Sequence, residues 1–219
     1  MLDKIERHER DSELCRRILS TATAVYRPLY LAELGALSGL PEQIIKSTEN
    51  VKKIVAKCGS FLTVRDNQIY LVHQSATDFL LNRHTQQGLR DPFKWVFPLG
   101  IEDVHHNIVL RSLIAMSAVL RRDIYSLKAP GFPINEVQTP SPDPLASVRY
   151  SCVFWVDHLH DLNSNKDAPR RNILDAVQTF VEQKYLYWLE ALSLLRAMPE
   201  GVIAITHLNG LLPADKTRF

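Results

Sequence analysis

The stretch Cys58–Leu81 decides the fold, and it reads CGSFLTVRDNQIYLVHQSATDFLL. Two short runs rich in β-formers, Phe61–Arg65 and Gln68–Val72, flank Asp66 and Asn67. Asp and Asn both tolerate the left-handed conformation that a tight turn requires, so the stretch predicts a β-hairpin. His73 follows the second strand, and Ser75 is a predicted N-cap for a helix that carries the apolar residues after it.

Three helical patterns precede this hairpin. Ser12 is the predicted N-cap of the first, and leucines at three-residue steps from Leu31 to Leu40 indicate the second, which Gly39 closes. The third carries Val51, Ile54, Val55 and Cys58 on one face and ends before Gly59. Three helices and a hairpin in about 70 residues are typical of a winged helix, with the hairpin as its wing.

The rest of the chain predicts a mainly α fold. One long helical pattern runs from Ile101 to Leu127, and a segment with five prolines after it is predicted to be an ordered crossing loop. Asp143-Pro144 predicts the start of the next helix, and a further helix is predicted to break near Lys184. The predicted organisation is a charged segment 1–11, a winged helix 12–84, a linker 85–100, an α-helical domain 101–212 and a tail 213–219.

Composition and charge are those of a soluble globular protein. The chain has 219 residues, 46% of them apolar and 23% charged, and a formal net charge of +2. No apolar run approaches the roughly 20 residues that a transmembrane helix needs, and the first ten residues are too charged for a secretory signal. Three scattered cysteines form no disulfide framework, so we expect buried reduced thiols and a cytoplasmic location.

Two motifs resemble one protein family. Val72-His73-Gln74 is similar to the methionine-histidine-aspartate signature of STAND signalling ATPases, although Gln74 replaces the aspartate. The stretch Lys184–Leu194, KYLYWLEALSL, resembles the helical region that follows the winged helix in fungal NACHT-type NOD-like receptors of the vegetative-incompatibility class. The resemblance covers most of the chain after Ser12.

The resemblance implies a role for His73. In this family a histidine at the strand-to-helix junction contacts the β-phosphate of ADP bound to the NACHT domain, which holds the receptor in its resting state. Imidazole can donate a hydrogen bond to a phosphate oxygen. The alternative is a structural role, in which His73 caps the wing and hydrogen-bonds to backbone.

The sequence provides no catalytic or metal site of its own. It contains no Gly-x-x-x-x-Gly-Lys-Ser/Thr loop, so ADP or ATP is expected on a NACHT domain absent from this chain. Cys152, Asp157, His158, His160 and Asp161 lie close in sequence but lack the spacing of a zinc site. We therefore expect neither enzyme activity, a bound cofactor nor a metal ion.

The function that this implies is a non-catalytic relay between a NACHT ATPase and C-terminal sensor repeats. Both partners would then belong to the same receptor. In the isolated chain, the apolar faces near Phe93, Trp95 and Phe97 and near Leu208–Leu212 would lack these partners, and they are predicted to promote self-association.

The alternative is a stand-alone winged helix that binds other proteins or DNA. Lys46, Lys52, Lys53 and Lys57 decorate the third helix, but residues 12–82 hold eight basic and six acidic side chains, a net charge of only +2. A third possibility is a fragment with no independent role.

Overall fold

The structure is a computed structural model that describes residues 9–81, 91–129, 131–163 and 171–211. It is mainly helical and forms two compact units, Met1–Ile108 and Val109–Phe219. The division falls within a helix, Ile101–Val119. The domain limits stated above remain predictions, and the tail 213–219 lies outside the described residues, as do residues 1–8 and 82–90.

The first unit contains short helices and one small sheet. In chain order its elements are α1 (Glu9–Ala24), β1 (Leu29–Tyr30), α2 (Leu31–Leu37), α3 (Glu42–Ile45), α4 (Thr48–Lys57), a 3-10 turn (Gly59–Phe61), β2 (Leu62–Arg65), β3 (Gln68–Leu71), α5 (Gln74–Leu81) and α6 (Pro92–Val96).

The predicted hairpin is confirmed. Strands β2 and β3 pair antiparallel, with Val64 opposite Ile69 and Arg65 opposite Gln68. Asp66 and Asn67 form the two-residue turn with φ of 49° and 61°, as a type I′ hairpin requires. Strand β1, which the sequence pattern did not predict, pairs antiparallel with β3, so the sheet order is β1-β3-β2.

The first helix starts before its predicted cap. Helix α1 begins at Glu9, so Ser12 lies inside it and the prediction of Ser12 as N-cap was wrong. The charged residues before Ser12 continue the helix, and Asp11 forms an ion pair with Lys57 of α4 at 2.8 Å.

Two of the three cysteines lie at the contact between α1 and the end of α4. Cys15 and Cys58 are free and fully buried, and Cys58 Sγ lies 3.9 Å from the Cys15 carbonyl oxygen. The hydrogen bond with Cys15 and burial raise the pKa of the Cys58 thiol, which keeps it protonated.

The predicted linker packs on the first unit, and one of its three aromatic residues, Phe97, belongs to the core. Helix α6 packs against α1 and α5, and Asp91 caps it by accepting a hydrogen bond from the Lys94 backbone N–H at 3.3 Å. Phe97 is buried and its ring lies 5.0 Å from that of Phe93. Phe93 and Trp95 are half-buried, so the prediction of an exposed apolar face was wrong for Phe97 alone and stays a prediction for the other two rings.

The second unit is a helical assembly around aromatic rings that meet edge-to-face. After α7 (Ile101–Val119) come α8 (Arg149–Asn163), α9 (Arg171–Leu194) and α10 (Met198–Leu211). The Trp155 ring packs edge-to-face on Trp188 with centroids 5.6 Å apart. Trp188 Nε1 donates to the Cys152 carbonyl at 2.8 Å, so α8 and α9 are held by both packing and a buried hydrogen bond.

Three predicted helix limits in this unit were wrong. Helix α7 ends at Val119, although the apolar pattern continues to Leu127. Helix α8 starts at Arg149, because Asp143 instead caps a turn by accepting the Leu145 N–H at 2.9 Å. Helix α9 is continuous through Lys184, whose ammonium group donates to the Leu120 carbonyl at 2.9 Å.

Candidate functional site

The candidate site lies where the hairpin passes into α5. Strand β3 ends at Leu71, and the Val72 N–H donates to the Phe61 carbonyl at 2.9 Å, which closes the base of the hairpin. His73 comes next and precedes the first residue of α5. The hairpin and the helix therefore fix the backbone of His73 from both sides.

The side chain of His73 caps α5. Its Nδ1 accepts a hydrogen bond from the Ser75 backbone N–H at 3.1 Å, and Ser75 Oγ lies 3.0 Å from the same nitrogen. The His73 carbonyl accepts the N–H of Ala76 at 2.9 Å. His73 is therefore the N-cap, and the prediction of Ser75 in that role was wrong because Ser75 lies in the first helical turn.

This hydrogen bond determines the tautomer of His73. Since Nδ1 accepts a backbone N–H, the neutral imidazole carries its hydrogen on Nε2. The side chain is exposed, and no residue in the described part of the chain accepts a hydrogen bond from Nε2. Nε2 can therefore donate to an acceptor outside this unit while Nδ1 continues to cap the helix.

Helix α5 is anchored at its far end. Leu80 is fully buried, and the Phe79 ring stacks on Phe61 with centroids 6.0 Å apart. Val72 and Phe79 are nevertheless 53% and 46% exposed. The junction thus combines a fixed backbone, an available N–H donor and adjacent apolar surface.

A cavity of about 250 Å³ opens beside this junction. Its walls come from α1, β1, α2, β3 and α5, and they include Arg27, Tyr70 and Gln74, the residue that follows His73. Arg27, one of the lining residues, forms an ion pair with the carboxylate of Glu33.

The ion pair between Arg27 and Glu33 supports this wall. Glu33 is completely buried and accepts hydrogen bonds from Arg27 Nη1 at 2.9 Å, from Arg27 Nη2 at 2.6 Å and from the Tyr30 N–H at 2.8 Å. Glu33 thereby caps α2 at its third position, where Tyr30 provides no Ser or Thr hydroxyl. It also orders the end of β1 next to β3.

Lys52 and Lys57, two of the three lysines of α4, form ion pairs with carboxylates. Lys52 pairs with Glu49 at 2.9 Å and Lys57 with Asp11 at 2.8 Å, while Lys46, just before α4, lies 3.4 Å from Glu42. A phosphate backbone would have to compete with these partners, which argues against a DNA-binding surface on α4.

The cluster around Cys152 does not converge. Cys152 and His158 are both fully buried, and His158 Nε2 lies 2.7 Å from the Tyr150 hydroxyl. His160 instead stacks on His207 of α10, with ring centroids 4.9 Å apart. Among residues 9–81, 91–129, 131–163 and 171–211, no group of three or more His, Cys, Asp or Glu side chains could hold a metal ion.

Sequence reasoning missed His207 because it lies 47 positions after His160 and no local spacing links them. Burial raises the pKa of the neighbouring Asp157 above its usual range.

None of the helices in the described part of the chain has the length and apolar character to cross a bilayer.

Comparison with known proteins gives one strong similarity. No family model matches the chain, and no solved structure matches it. The vegetative incompatibility protein HET-E-1 of Podospora anserina is 50% identical in an alignment of 219 positions, which covers 97% of this chain but only 16% of that protein. The chain is therefore similar, over nearly its whole length, to one segment of a much longer fungal vegetative incompatibility protein.

Proposed function

We propose that the chain is a relay segment of a NACHT-type NOD-like receptor of the vegetative-incompatibility class. In this proposal the first unit is a winged helix and the second a helical linker, and together they couple a NACHT ATPase to C-terminal sensor repeats. The observation that carries the proposal is the 50% identity across 97% of the chain to a vegetative incompatibility protein.

The arrangement of the first unit supports the winged-helix assignment. Helices α1, α2 and α4 precede the hairpin, with the four-residue helix α3 as an additional turn between α2 and α4. Strand β1, between α1 and α2, adds the third strand beside β3. The hairpin is the wing, and His73 follows it directly.

His73 has two roles in this proposal. Its Nδ1 caps α5, and its Nε2–H donates to the β-phosphate of ADP on the NACHT domain in the resting receptor. Loss of the phosphate contact would release the winged helix and favour the active state, because a ligand stabilises the conformation that binds it better. The cap is present in either state.

The relay has no chemistry of its own. We propose that it is not an enzyme, holds no cofactor itself and acts in the cytoplasm as part of one receptor polypeptide. The absence of a phosphate loop from the sequence supports this. Leu208 is buried in the core of the second unit, so the predicted exposed face near Leu208–Leu212 was wrong at that residue, and Leu212 lies outside the described residues. Val202 and Ile203, also on α10, are exposed and uncharged, which supports the proposal that isolated segments self-associate.

The second candidate is a stand-alone winged helix that binds DNA. The carboxylate partners of Lys46, Lys52 and Lys57 weigh against it. Retention of the purified chain on immobilised duplex DNA, lost at moderate salt, would favour this candidate over the relay.

Sequencing the transcript across both ends of this reading frame tests the proposal. We expect an upstream frame with a Gly-x-x-x-x-Gly-Lys-Ser/Thr loop and a downstream frame with sensor repeats. A mature transcript with stop codons close to both ends of this sequence would contradict the relay function and favour the stand-alone candidate or a fragment without a role.

A further inference from the structure

The second unit contains a cavity of about 400 Å³ beside the C-terminal part of α9. One wall is the loop between α7 and α8, and the other comes from Glu190, Ser193 and Leu194 of α9. The volume lies within the range of about 300–1,000 Å³ that small-molecule sites occupy.

The loop that forms this cavity is held in place by two carboxylates. Glu190 accepts hydrogen bonds from the backbone N–H of Asp123 at 3.1 Å and of Ile124 at 3.0 Å. Asp123 in turn accepts from the N–H of Leu127 at 2.6 Å and of Lys128 at 3.1 Å. Both acidic side chains therefore organise the loop, and the cavity exists before any ligand binds.

The loop backbone is unusual over a short distance. Asp123, Ser126 and Lys128 have φ of 52°, 57° and 63°, and Gly131 has 75°. Non-glycine residues in the left-handed region persist where the surroundings over-determine them, and such positions cluster at ligand-binding sites. Here the carboxylates of Asp123 and Glu190 supply that constraint.

The charges and the apolar surface of the cavity are arranged for an amphipathic ligand. The apolar wall comes from Leu127, Ile134 and Leu194. Arg122 and Lys128 are exposed at the cavity, and no carboxylate in the described part of the chain pairs with either. An organic anion can place an apolar body on the wall and its charge against these two cations.

We propose that this cavity binds a small amphipathic organic anion, with Arg122 and Lys128 as its anion contacts and Leu127, Ile134 and Leu194 as its apolar contacts. The site is separate from the hairpin junction and does not depend on the proposed relay function. Its ligand class follows from two cations that no carboxylate in the described residues pairs with, above an apolar wall. Asp123 and Glu190 keep their negative charge, but their oxygens accept hydrogen bonds from backbone N–H groups of the loop.

Two fluorescent probes that differ in one sulfonate test the charge requirement. The anion is 8-anilinonaphthalene-1-sulfonate, and N-phenyl-1-naphthylamine is its uncharged counterpart. Loss of the charge-assisted hydrogen bonds in the double variant Arg122→Gln/Lys128→Gln should weaken binding of the sulfonate by about tenfold or more. Binding of the uncharged probe should change by less than about twofold, because the apolar wall is intact.

Two further variants locate the site. Arg121→Gln removes an exposed cation that does not line the cavity, and it should leave both affinities unchanged. Ser193→Trp places a large ring in the cavity from an exposed position that spares the core, and it should weaken both probes. Equal thermal unfolding temperatures show that the variants are folded.

The proposal is overturned if the sulfonate binds the double variant as tightly as wild type, or if Arg121→Gln weakens it equally. Equal loss of the charged and the uncharged probe in a folded double variant would also overturn the anion site. Unchanged binding to Ser193→Trp would show that the probes bind elsewhere.

Discussion

Substitution of His73 separates its two proposed roles. His73→Ala removes both the Nδ1 acceptor and the Nε2–H donor. His73→Asn retains an acceptor, because Asn Oδ1 occupies the position of Nδ1 and Asn is a favoured N-cap. Its side chain ends short of the Nε2 position, so the distal donor is lost in both variants.

The structure sets the expected size of the capping effect. The hydrogen bond from the Ser75 N–H to His73 Nδ1 at 3.1 Å is lost in His73→Ala, together with the exposed 3.0 Å contact between Nδ1 and Ser75 Oγ. Because His73 is exposed and water can replace the acceptor, we expect the low end of capping energies, about 0.5–1 kcal/mol. The buried Leu80 keeps α5 attached, so the effect should be local.

Amide hydrogen exchange in α5 measures this directly. In His73→Ala the amides of Ala76–Leu80 should exchange about 2–5-fold faster than in wild type, as that free energy implies. His73→Asn should exchange at nearly the wild-type rate, and the matched control Ser75→Ala, which keeps the backbone N–H donor, should too. Unchanged exchange in His73→Ala would refute the cap, and equal acceleration in His73→Asn would show that the effect does not come from the Nδ1 acceptor.

Three further outcomes are expected. Arg27→Ala should destabilise the first unit by about 3 kcal/mol in urea unfolding, because it removes the guanidinium that forms an ion pair with the fully buried carboxylate of Glu33; a loss below about 1 kcal/mol would contradict this. Burial, followed by the hydrogen bond to Asp143, raises the pKa of Tyr125 from 10.0 to about 12. The contribution of protonated Tyr125 to the free energy of unfolding is therefore complete below pH 10 and is lost as the pH rises toward 12, by about 2–3 kcal/mol in total. A folded Tyr125→Phe variant should lack this loss, and parallel curves of unfolding free energy against pH for wild type and variant would refute the prediction. Calorimetry should detect no binding of ATP or ADP to the isolated chain, and micromolar affinity would contradict the relay proposal.

Local turn chemistry made the hairpin predictable. Asp66 and Asn67 are two of the residues that accept positive φ most readily, and the β-formers on either side left one register that buries Ile69. Strand β1 was not predictable in the same way. Its two residues, Leu29 and Tyr30, are too few to show a period, and only the pairing with β3 makes them a strand.

Helix limits were missed where burial and backbone conformation diverge. Leu120 and Ile124 continue the apolar period of α7 and are buried, yet the helix ends at Val119. Hydrophobic periodicity reports which side chains are buried, and a loop that packs on the core satisfies the same pattern. The carboxylate of Glu190 holds this loop through Asp123 and Ile124, and that long-range contact leaves no local signal.

The candidate site at His73 was predictable only in part, because its side-chain contact likewise leaves no signal in the local sequence. The position of His73 after the hairpin follows from the sequence, and the resemblance supplied its phosphate contact. Its capping bond depends on a side-chain rotamer and on the backbone of Ser75, which residue types alone do not determine. The two interpretations of His73, cap or phosphate donor, are compatible because they use different ring nitrogens.

The rate of ADP release from a full-length receptor that carries this sequence tests the central claim most directly. His73→Asn keeps the cap and removes the Nε2–H, and a lost hydrogen bond to a charged phosphate is worth about 1.5–3 kcal/mol. We therefore expect ADP to dissociate about tenfold or more faster from the His73→Asn receptor than from wild type, at an unchanged unfolding temperature. An unchanged dissociation rate in that folded variant would contradict the account and leave His73 as the N-cap of α5 alone.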